Sequence, residues 1–259
     1  MLILIAESKT MTLCDSIVDK EEYSGHRPVF EPLARNIMDS LSGKTPEEIA
    51  SKVGISLKLA REMQKMIYEF PNQSLGSKAL DAFTGVVFRA LDMASLGNEA
   101  REKADRELKI VSSLYGWLNA DDIVKQYRTE YSSPIAPLEM PLFKYYRHDV
   151  TLQLCEALER EKTSEILNLL PADAAKSIDW KIINRQASVY KADFLEQRED
   201  GILKTPNSGK LKKLRGLLLR QILMEGIDKA ARLLDIESPF YYCDGASGDP
   251  HHLRLVTAE

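Results

Sequence analysis

The sequence has few cysteines, no long apolar run and no excess of positive charge. Cys14, Cys155 and Cys243 are far apart and odd in number, which excludes a disulfide framework and favours a reducing, cytoplasmic location. The apolar run Leu2 to Ala6 has the length of a strand and no basic segment before it, so we expect neither a membrane span nor a signal peptide. With 35 Lys and Arg against 39 Asp and Glu, the net charge of −4 excludes a generally basic surface. A binding site for a polyanion must therefore be a local patch.

Several motifs of common enzymes and cofactor sites are missing as well. Gly43-Lys44-Thr45 has the end of a nucleotide-binding P-loop, but Met38 stands where its first glycine is needed. The sequence has no GxGxxG after a strand, no GxSxG and no CxxC. These absences predict no cofactor, and they favour a protein that is not an enzyme without settling the matter.

The histidines do not form a metal-binding pattern. None stands three or four residues from another so as to share a helical face, and Glu-x-x-His does not occur. We interpret the adjacent pair near the end of the chain as an exposed tail, and we expect no metal site. The four are His26, His148, His251 and His252.

Composition and local patterns predict one mixed α/β domain over residues 1–259, with a short mixed sheet surrounded by helices. The 44% apolar and 29% charged residues are typical of a globular protein, and there is no internal repeat or long linker. Met1 to Ala6 predicts a buried strand, and Ala79 to Leu91 fits either a core helix or a core strand. An exposed loop is expected at Ser132 to Pro141. The other predicted helices are Pro32–Ser40, Glu99–Val111, Ala120–Gln126, His148–Glu161, Ala172–Ile178, Leu211–Met224 and Asp228–Leu234, and the short strands are Trp180–Ile183 and Ser188–Tyr190.

The first candidate site is Ser8-Lys9-Thr10, which follows the opening strand. Ligands of α/β proteins gather at the carboxyl ends of strands, where a lysine and a hydroxyl suit an anion. A plain surface loop is the alternative.

The second candidate is the segment Leu203 to Met224, in which six cations occur without an acidic residue. Helical spacing places the apolar side chains on one face and most cations on another, with Gly216 among the cations where a phosphate backbone has room to approach. The alternative is a solvated face whose cations are paired with acids elsewhere in the fold. The six are Lys204, Lys210, Lys212, Lys213, Arg215 and Arg220.

The third candidate is Leu108 to Val124, with a tight turn at Tyr115-Gly116. The pattern resembles a helix-hairpin-helix, which binds duplex phosphates through backbone N–H groups of its turn. Lys125 and Arg128 add positive charge just beyond it. An ordinary corner between two helices, packed by Trp117, is the alternative.

The fourth candidate is the pair of capped helices from Thr45 to Met66, which has the spacing of a helix-turn-helix. Thr45, Pro46 and Glu48 form a strong helix start, and Ser56 caps the second helix. Lys58 and Arg61 are available near its N-terminus for reading bases. Most helix pairs of this shape are structural.

Four stretches, taken in order, resemble the YaaA family of bacterial peroxide-stress proteins. They are Met1 to Met11, Phe83-x-Gly85-x-Val87-Phe88-x-x-Leu91, Ser112 to Gly116 with Tyr127-Arg128 after it, and Lys212 to Leu217. The resemblance implies a family-specific single-domain fold with a positively charged cleft and a helix-hairpin-helix. It also implies a cytoplasmic protein that binds DNA and limits peroxide damage linked to free intracellular iron. The binding positions that it implies are Lys9, Thr10, Tyr115, Gly116, Tyr127, Arg128, Lys212, Lys213 and Arg215, to which the helix pattern adds Arg220.

The chain departs from the family pattern at three places. Ala6-Glu7-Ser8 replaces the residues that precede the lysine in relatives, which adds an acid beside Lys9. Ser113 stands where relatives have glycine, and Leu170-Pro171 interrupts a further motif.

Three hypotheses follow from these patterns. The leading one is a monomeric stress protein that binds duplex or locally opened DNA through phosphates, with little dependence on sequence. The second is an enzyme acting on a nucleotide or nucleobase, with Lys9, Thr10, Lys212 and Arg215 around a phosphate. It requires a concave pocket that holds a lysine of depressed pKa. Direct iron handling is disfavoured because no His, Cys and carboxylate cluster has ligand spacing.

Overall fold

The opening apolar run forms the strand β1 (Leu2–Ala6), which lies inside a mixed sheet of eight strands. A computed structural model describes residues 1–13, 26–71, 76–135, 139–197, 201–246 and 249–257. The sheet runs in the order β4-β3-β1-β6-β7-β10-β9, and β8 pairs with β7. Its other strands are β3 (Leu108–Ser112), β4 (Gly116–Asn119), β6 (Glu165–Asn168), β7 (Ser188–Gln197), β8 (Leu203–Lys204), β9 (Tyr241–Ala246) and β10 (His252–Thr257).

The centre of this sheet is parallel and its margins are antiparallel. β1 pairs in parallel with β3 on one side and with β6 on the other, and β6, β7 and β10 continue in parallel. β4, β8 and β9 run antiparallel to their neighbours. The carboxyl ends of β1, β3 and β6 therefore meet at one edge, where the chain passes from one side of β1 to the other. Ligands of open α/β sheets bind at such an edge.

Helices cover the sheet, and all of its parts share one continuous apolar core, so the predicted mixed α/β single domain is confirmed. The sheet has more strands than the short one expected. The helices are α1 (Glu31–Ser40), α2 (Pro46–Val53), α3 (Leu57–Glu69), α4 (Ala79–Ala82), α5 (Val86–Leu91), α6 (Asn98–Glu107), α7 (Leu142–Arg160), α8 (Ala172–Ala175), α9 (Trp180–Ile183) and α10 (Ser208–Met224), with 3-10 turns at Met93–Ser95 and Ala230–Asp235.

Local signals predicted the first helices well. The Thr45 hydroxyl accepts from the Glu48 N–H at 3.2 Å, and the Glu48 carboxylate accepts from the Thr45 N–H at 2.8 Å, which is the expected capping box. Ser56 caps α3. Ala79 to Leu91 forms two short helices, α4 and α5, on either side of Gly85.

The prediction of a helix-hairpin-helix at Leu108 to Val124 is wrong. α6 ends at Glu107, and the next residues form the antiparallel hairpin of β3 and β4. The predicted helix Glu99–Val111 is thus helical only as far as Glu107, and its last four residues are strand. β3 is buried on both faces, so its apolar residues do not alternate with polar ones, and their spacing cannot distinguish a strand from a buried helix. Its pairing with β1 decides the outcome.

The predicted helix Ala120–Gln126 is also wrong. Its place is taken by β5 (Ile123–Val124), which pairs with β2 (Ser77–Lys78) in a separate two-stranded sheet. The Asp122 carboxylate accepts from the Asn119 N–H at 2.7 Å, which closes a turn where a helix start was expected.

Two assignments near the end of the chain change as well. Trp180–Ile183 is a short helix, not a strand, because Asp179 caps it by accepting from the Lys181 N–H at 3.0 Å. The pair His251-His252 is not a free tail, since His252 is the first residue of β10.

Of the predicted loop Ser132 to Pro141, residues 136–138 lie outside the described residues. Cys14 does too, whereas Cys155 and Cys243 are free thiols.

Candidate functional site

A cleft of about 520 Å³ opens at the carboxyl end of β1. The loop after β1 forms one side, and α5 and α10 form the other. This cleft brings Ser8-Lys9-Thr10 of the first candidate site together with Lys212 and Arg215 of the second. Its lining comprises residues 5–10, residues 85–89, Tyr131, Leu169, Pro171, Asp173, Ser208, Lys212 and Arg215.

Lys9 is held in place by a dense set of contacts. Its ammonium group donates to the Thr129 carbonyl oxygen at 2.6 Å and lies 3.1 Å from Glu7 Oε1 and 3.0 Å from Glu130 Oε2. Burial alone lowers the pKa of Lys9, but Glu7 and Glu130 outweigh it and raise the pKa above its ordinary value. Lys9 therefore stays protonated and does not act as a base, and its three N–H groups are already engaged by Thr129, Glu7 and Glu130, so it fixes the loop beside the cleft.

Glu7 lines the cleft, and its side chain is only 1% exposed. Its Oε1 accepts from the Ser113 hydroxyl at 2.5 Å, and its Oε2 accepts from the Ser113 N–H at 2.9 Å and from the Tyr127 hydroxyl. Burial and the Glu7 charge together raise the pKa of Tyr127 well above its ordinary value. Tyr127 thus remains a neutral hydrogen-bond donor in the protein interior and does not reach a ligand in the cleft by its hydroxyl.

Three of the six cations of the basic segment already have partners within the protein. Lys204 and Lys210 each pair with Glu196, at 3.1 and 3.0 Å. Arg220 donates to the Leu91 and Asp92 carbonyl oxygens and to the Ser95 hydroxyl, at 2.8 to 3.0 Å. The placement of Arg220 in a phosphate-binding set is therefore wrong, because its guanidinium fixes the end of α5 instead.

The other three, Lys212, Lys213 and Arg215, form no ion pair or hydrogen bond with any side chain that the structure describes. Lys212 and Lys213 are exposed, and Arg215 is half-buried. Burial lowers the pKa of Arg215 from its ordinary value, and the charge of Asp173 opposes that shift. Lys212 and Arg215 face the cleft, and Lys213 follows Lys212 on the exposed side of α10.

Gly216 does not open space for a phosphate, contrary to the sequence prediction. It is buried, and a Cβ there would lie 2.7 Å from the Ala90 Cβ and even closer to the Val87 carbonyl oxygen. The glycine instead lets α10 pack tightly on α5, which fixes the two helices that border the cleft.

Tyr115 and Gly116 also lie away from any surface, so their proposed contact with phosphate is wrong. Tyr115 is 1% exposed, and its hydroxyl accepts from the Lys125 N–H at 3.2 Å. Gly116 has a φ of +67° at the start of β4, and a Cβ there would meet the Tyr146 ring at 2.6 Å. The turn is a packing feature of the β3–β4 hairpin, and its backbone N–H groups are not presented to solvent.

Thr10 lines both the cleft and a smaller cavity, whereas Arg128 lines the smaller cavity and not the cleft. Arg128 Nη1 donates to the Lys9 carbonyl oxygen at 3.0 Å, and its Nε is buried without a hydrogen-bond partner among the described atoms. The Thr10 hydroxyl lies 3.1 Å from the Ser8 hydroxyl. Lys9, Thr10 and Arg128 line this cavity of about 200 Å³ together with Leu59, Glu62, Met66 and other residues.

The predicted helix pair exists, and Lys58 and Arg61 are exposed at the start of α3. Neither lines the cleft. The predicted pair of helices is thus present, but the cations expected to read bases are not those of the cleft.

Other features bear on what the site can do. Burial lowers the pKa of Lys109 and of Lys125 to about 8, but neither residue lines the cleft. Within the described ranges, no group of three or more His, Cys, Asp or Glu side chains is placed to hold a metal ion, and no helix is long and apolar enough to span a bilayer.

The sequence did not single out four residues that shape the cleft. Glu7 was noted only as an added acid, and Arg89, Tyr131 and Asp173 were not noted at all. Arg89 lies within the matched stretch from Phe83 to Leu91, which is a local signal for a functional position. The positions of Tyr131 and Asp173 depend on tertiary structure and have no local signal.

The sequence comparisons agree with one another. A sequence profile described as "Peroxide stress protein YaaA" matches residues 1–246. A UPF0246 protein of Francisella tularensis subsp. novicida (strain U112) is 30% identical over 235 residues, which cover 89% of this chain and 90% of that protein. A UPF0246 protein of Francisella philomiragia subsp. philomiragia is 29% identical over 232 residues, which cover 88% of this chain and 89% of that protein.

Proposed function

The chain belongs to the YaaA family of peroxide stress proteins, and we propose that it protects the cell by binding DNA through the cleft at the end of β1. In this proposal it acts in the cytoplasm, as a monomer, and limits the damage that peroxide causes together with free intracellular iron. Backbone phosphates lie against Lys212, Lys213 and Arg215. Duplex or locally opened DNA is bound with little dependence on base sequence.

One observation carries this proposal: Lys212 and Arg215 face the same cleft as Lys9 and the Ser8 and Thr10 hydroxyls. A molecule of net charge −4 has enough carboxylates to pair with its cations, and it does so at Lys204, Lys210 and Arg220. Cations that remain unpaired beside a cleft are suited to release counterions from a phosphate backbone. Hydroxyl groups beside them add hydrogen bonds to phosphate oxygens.

Contacts of this kind position a nucleic acid without reading its sequence. The hairpin around Gly116 plays no part in the proposed binding, because it is buried. All of the proposed contacts come from the loop after β1 and from α10.

Charge reversal tests the proposal. In the variant Lys212→Glu, Lys213→Glu, Arg215→Glu, binding to a labelled duplex and to a bubble-containing duplex should be lost at low salt, while the circular dichroism spectrum stays unchanged. The matched control is Lys144→Glu, Lys229→Glu, Arg232→Glu, which reverses three exposed cations outside the cleft. The control should bind as the parent does. Equal loss in both variants would show that only the overall charge matters, and no loss in either would refute the proposed site.

A second function is favoured by the size of the cleft, since its volume of about 520 Å³ suits a small phosphorylated ligand such as a nucleotide. In that case Lys9, Thr10, Lys212 and Arg215 surround the phosphate. The raised pKa of Lys9 argues against this lysine as the base or nucleophile of an enzyme. Analysis of the purified protein for a copurifying nucleotide, with the triple variant as the control, would favour this function over DNA binding if the parent alone carries one.

A further inference from the structure

A second cavity of about 610 Å³, called here the side cavity, adjoins the cleft. Arg215 lines both of them. The proposed function assigns no role to the side cavity. Its lining includes Asn168 at the end of β6, Trp180 and Asn184 of the α9 region, Asp193 of β7, and His251 and His252.

The two cavities are separated by a wall that is one chain thick. After β6 the chain stays extended as far as Pro171, just before α8 begins, and successive side chains of an extended chain point to opposite sides. Leu169, Pro171 and Asp173 line the cleft, whereas Asn168, Leu170 and Ala172 line the side cavity. Arg215 lines both cavities, so a phosphate bound to its guanidinium can belong to a ligand whose other groups occupy either cavity.

The side cavity contains a fixed aromatic surface. Trp180 Nε1 donates to the Ala175 carbonyl oxygen at 2.9 Å, which holds the indole in one orientation. Asp179 caps the short helix that carries it. A half-buried indole held in this way provides a stacking surface at little cost in side-chain entropy, and every nucleobase has a π face to place on it.

Amide groups lie near this aromatic surface. The Asn168 Oδ1 accepts from the Leu170 N–H at 3.0 Å, and the Asn168 NH₂ group has no partner among the residues that the structure describes. Asn184 is exposed at the end of α9 and also lines the side cavity. Amides beside an aromatic ring can hydrogen-bond the edge of a stacked base.

The charges of the side cavity suit a base better than a phosphate. Its lining includes two carboxylates, Asp193 and Asp249, which lie 3.0 and 3.7 Å from the ring nitrogens of His252, and one exposed lysine, Lys191. Lys191 offsets only one of the two carboxylates, so Arg215, which lines both cavities, is the better site for a phosphate.

We propose that the side cavity receives a base of single-stranded nucleic acid whose phosphate lies on Arg215, while the adjoining nucleotide of the same strand occupies the cleft. The strand crosses the wall at Arg215, and the base stacks on Trp180. This inference rests on the proposed function, because Arg215 serves both, and it specifies the bound form as an unpaired strand of at least two nucleotides.

Tryptophan fluorescence of the full-length protein tests the inference. The chain has two tryptophans, and Trp117 is 1% exposed within the β3–β4 hairpin, so only Trp180 can be contacted by a ligand. Titration with a short oligothymidylate at low salt should quench the emission, with the same midpoint as binding measured by anisotropy. Trp180→Phe should abolish the quenching.

Affinity provides the second measurement. Trp180→Ala should weaken binding of the oligothymidylate by about tenfold, within the range found for loss of one stacked base. Trp180→Phe should restore most of that affinity because a ring remains. The matched control is Ile182→Ala, on the same short helix, which is 37% exposed, does not line the side cavity and should bind as the parent does.

The outcomes separate the two proposals. In one outcome the oligothymidylate binds and the Lys212, Lys213, Arg215 reversal abolishes that binding, but Trp180 is neither quenched nor needed for affinity. The proposal that the side cavity receives a base is then refuted, and the proposed function stands. If the parent binds neither the oligothymidylate nor duplex DNA, both proposals fall. Quenching together with a tenfold loss in Trp180→Ala supports both.

Discussion

The Glu7 carboxylate accepts hydrogen bonds from both the hydroxyl and the backbone N–H of Ser113, at 2.5 and 2.9 Å. These two residues are 106 positions apart, and both are places where the chain departs from the family motifs. The contact links the loop after β1 to the β3–β4 hairpin. Because Glu7 also pairs with Lys9, one side of the cleft depends on it.

Loss of Glu7 should therefore destabilise the fold. Glu7→Ala leaves the Ser113 N–H and the Tyr127 hydroxyl without their acceptor in a buried place, and the free energy of unfolding should fall by about 2–4 kcal/mol. Ser113→Ala removes only the hydroxyl and should cost about 1 kcal/mol. Urea unfolding of both single variants and the double variant should give a total cost smaller than the sum of the two. Strict additivity would contradict the contact.

Gly116→Val should act on stability and not on binding. The positive φ and the Tyr146 ring next to Gly116 leave no room for a side chain, so the variant should lose at least about 2 kcal/mol of stability or fail to fold. Thermal unfolding and solubility measure this effect. A variant of normal stability that has lost DNA binding would restore the hairpin as a phosphate-binding element.

The pH dependence of stability should reveal the buried Asp122. Burial raises its pKa to about 6, whereas its ordinary value is 3.8. A carboxyl with a raised folded-state pKa contributes stability below pH 4 and loses that contribution as the pH rises through 6. Asp122→Asn cannot ionise, so above pH 6 it should be more stable than the parent by up to about 3 kcal/mol, and the difference should shrink towards pH 4. Unfolding by urea from pH 4 to pH 8 measures this; a difference that does not change with pH would contradict it.

Local sequence signals were sufficient to predict one side of the cleft, the loop that follows β1. The opening apolar run is long enough for one buried strand, and the general position of ligand sites in α/β folds then points to Lys9 and Thr10. The capping box of α2 and the Ser56 cap of α3 are equally local. β3 was misassigned because a strand buried on both faces shows no alternation, and only its pairing with β1 distinguishes it from a helix.

The six cations from Lys204 to Arg220 show a different limit of sequence-based prediction. All of them lie in one acid-free segment, and nothing in that segment distinguishes Arg215 from Arg220. The acidic and carbonyl partners of the paired cations come from β7 and from the end of α5. Tertiary structure therefore decides which cations are paired. The same holds for Gly216, whose neighbours Val87 and Ala90 are distant in sequence.

The most direct test compares Arg215→Ala with Arg220→Ala, two arginines of one helix with the same charge. Duplex affinity is measured over a series of salt concentrations for the parent and both variants. Arg215→Ala should reduce the magnitude of the slope of log affinity against log salt by about 0.9, the value for one lost phosphate contact. Arg220→Ala should leave the slope unchanged and lower only the thermal stability, because its guanidinium is bound to Leu91, Asp92 and Ser95. An equal change of slope in both variants, or a change in Arg220→Ala alone, would contradict the assignment of DNA binding to the cleft.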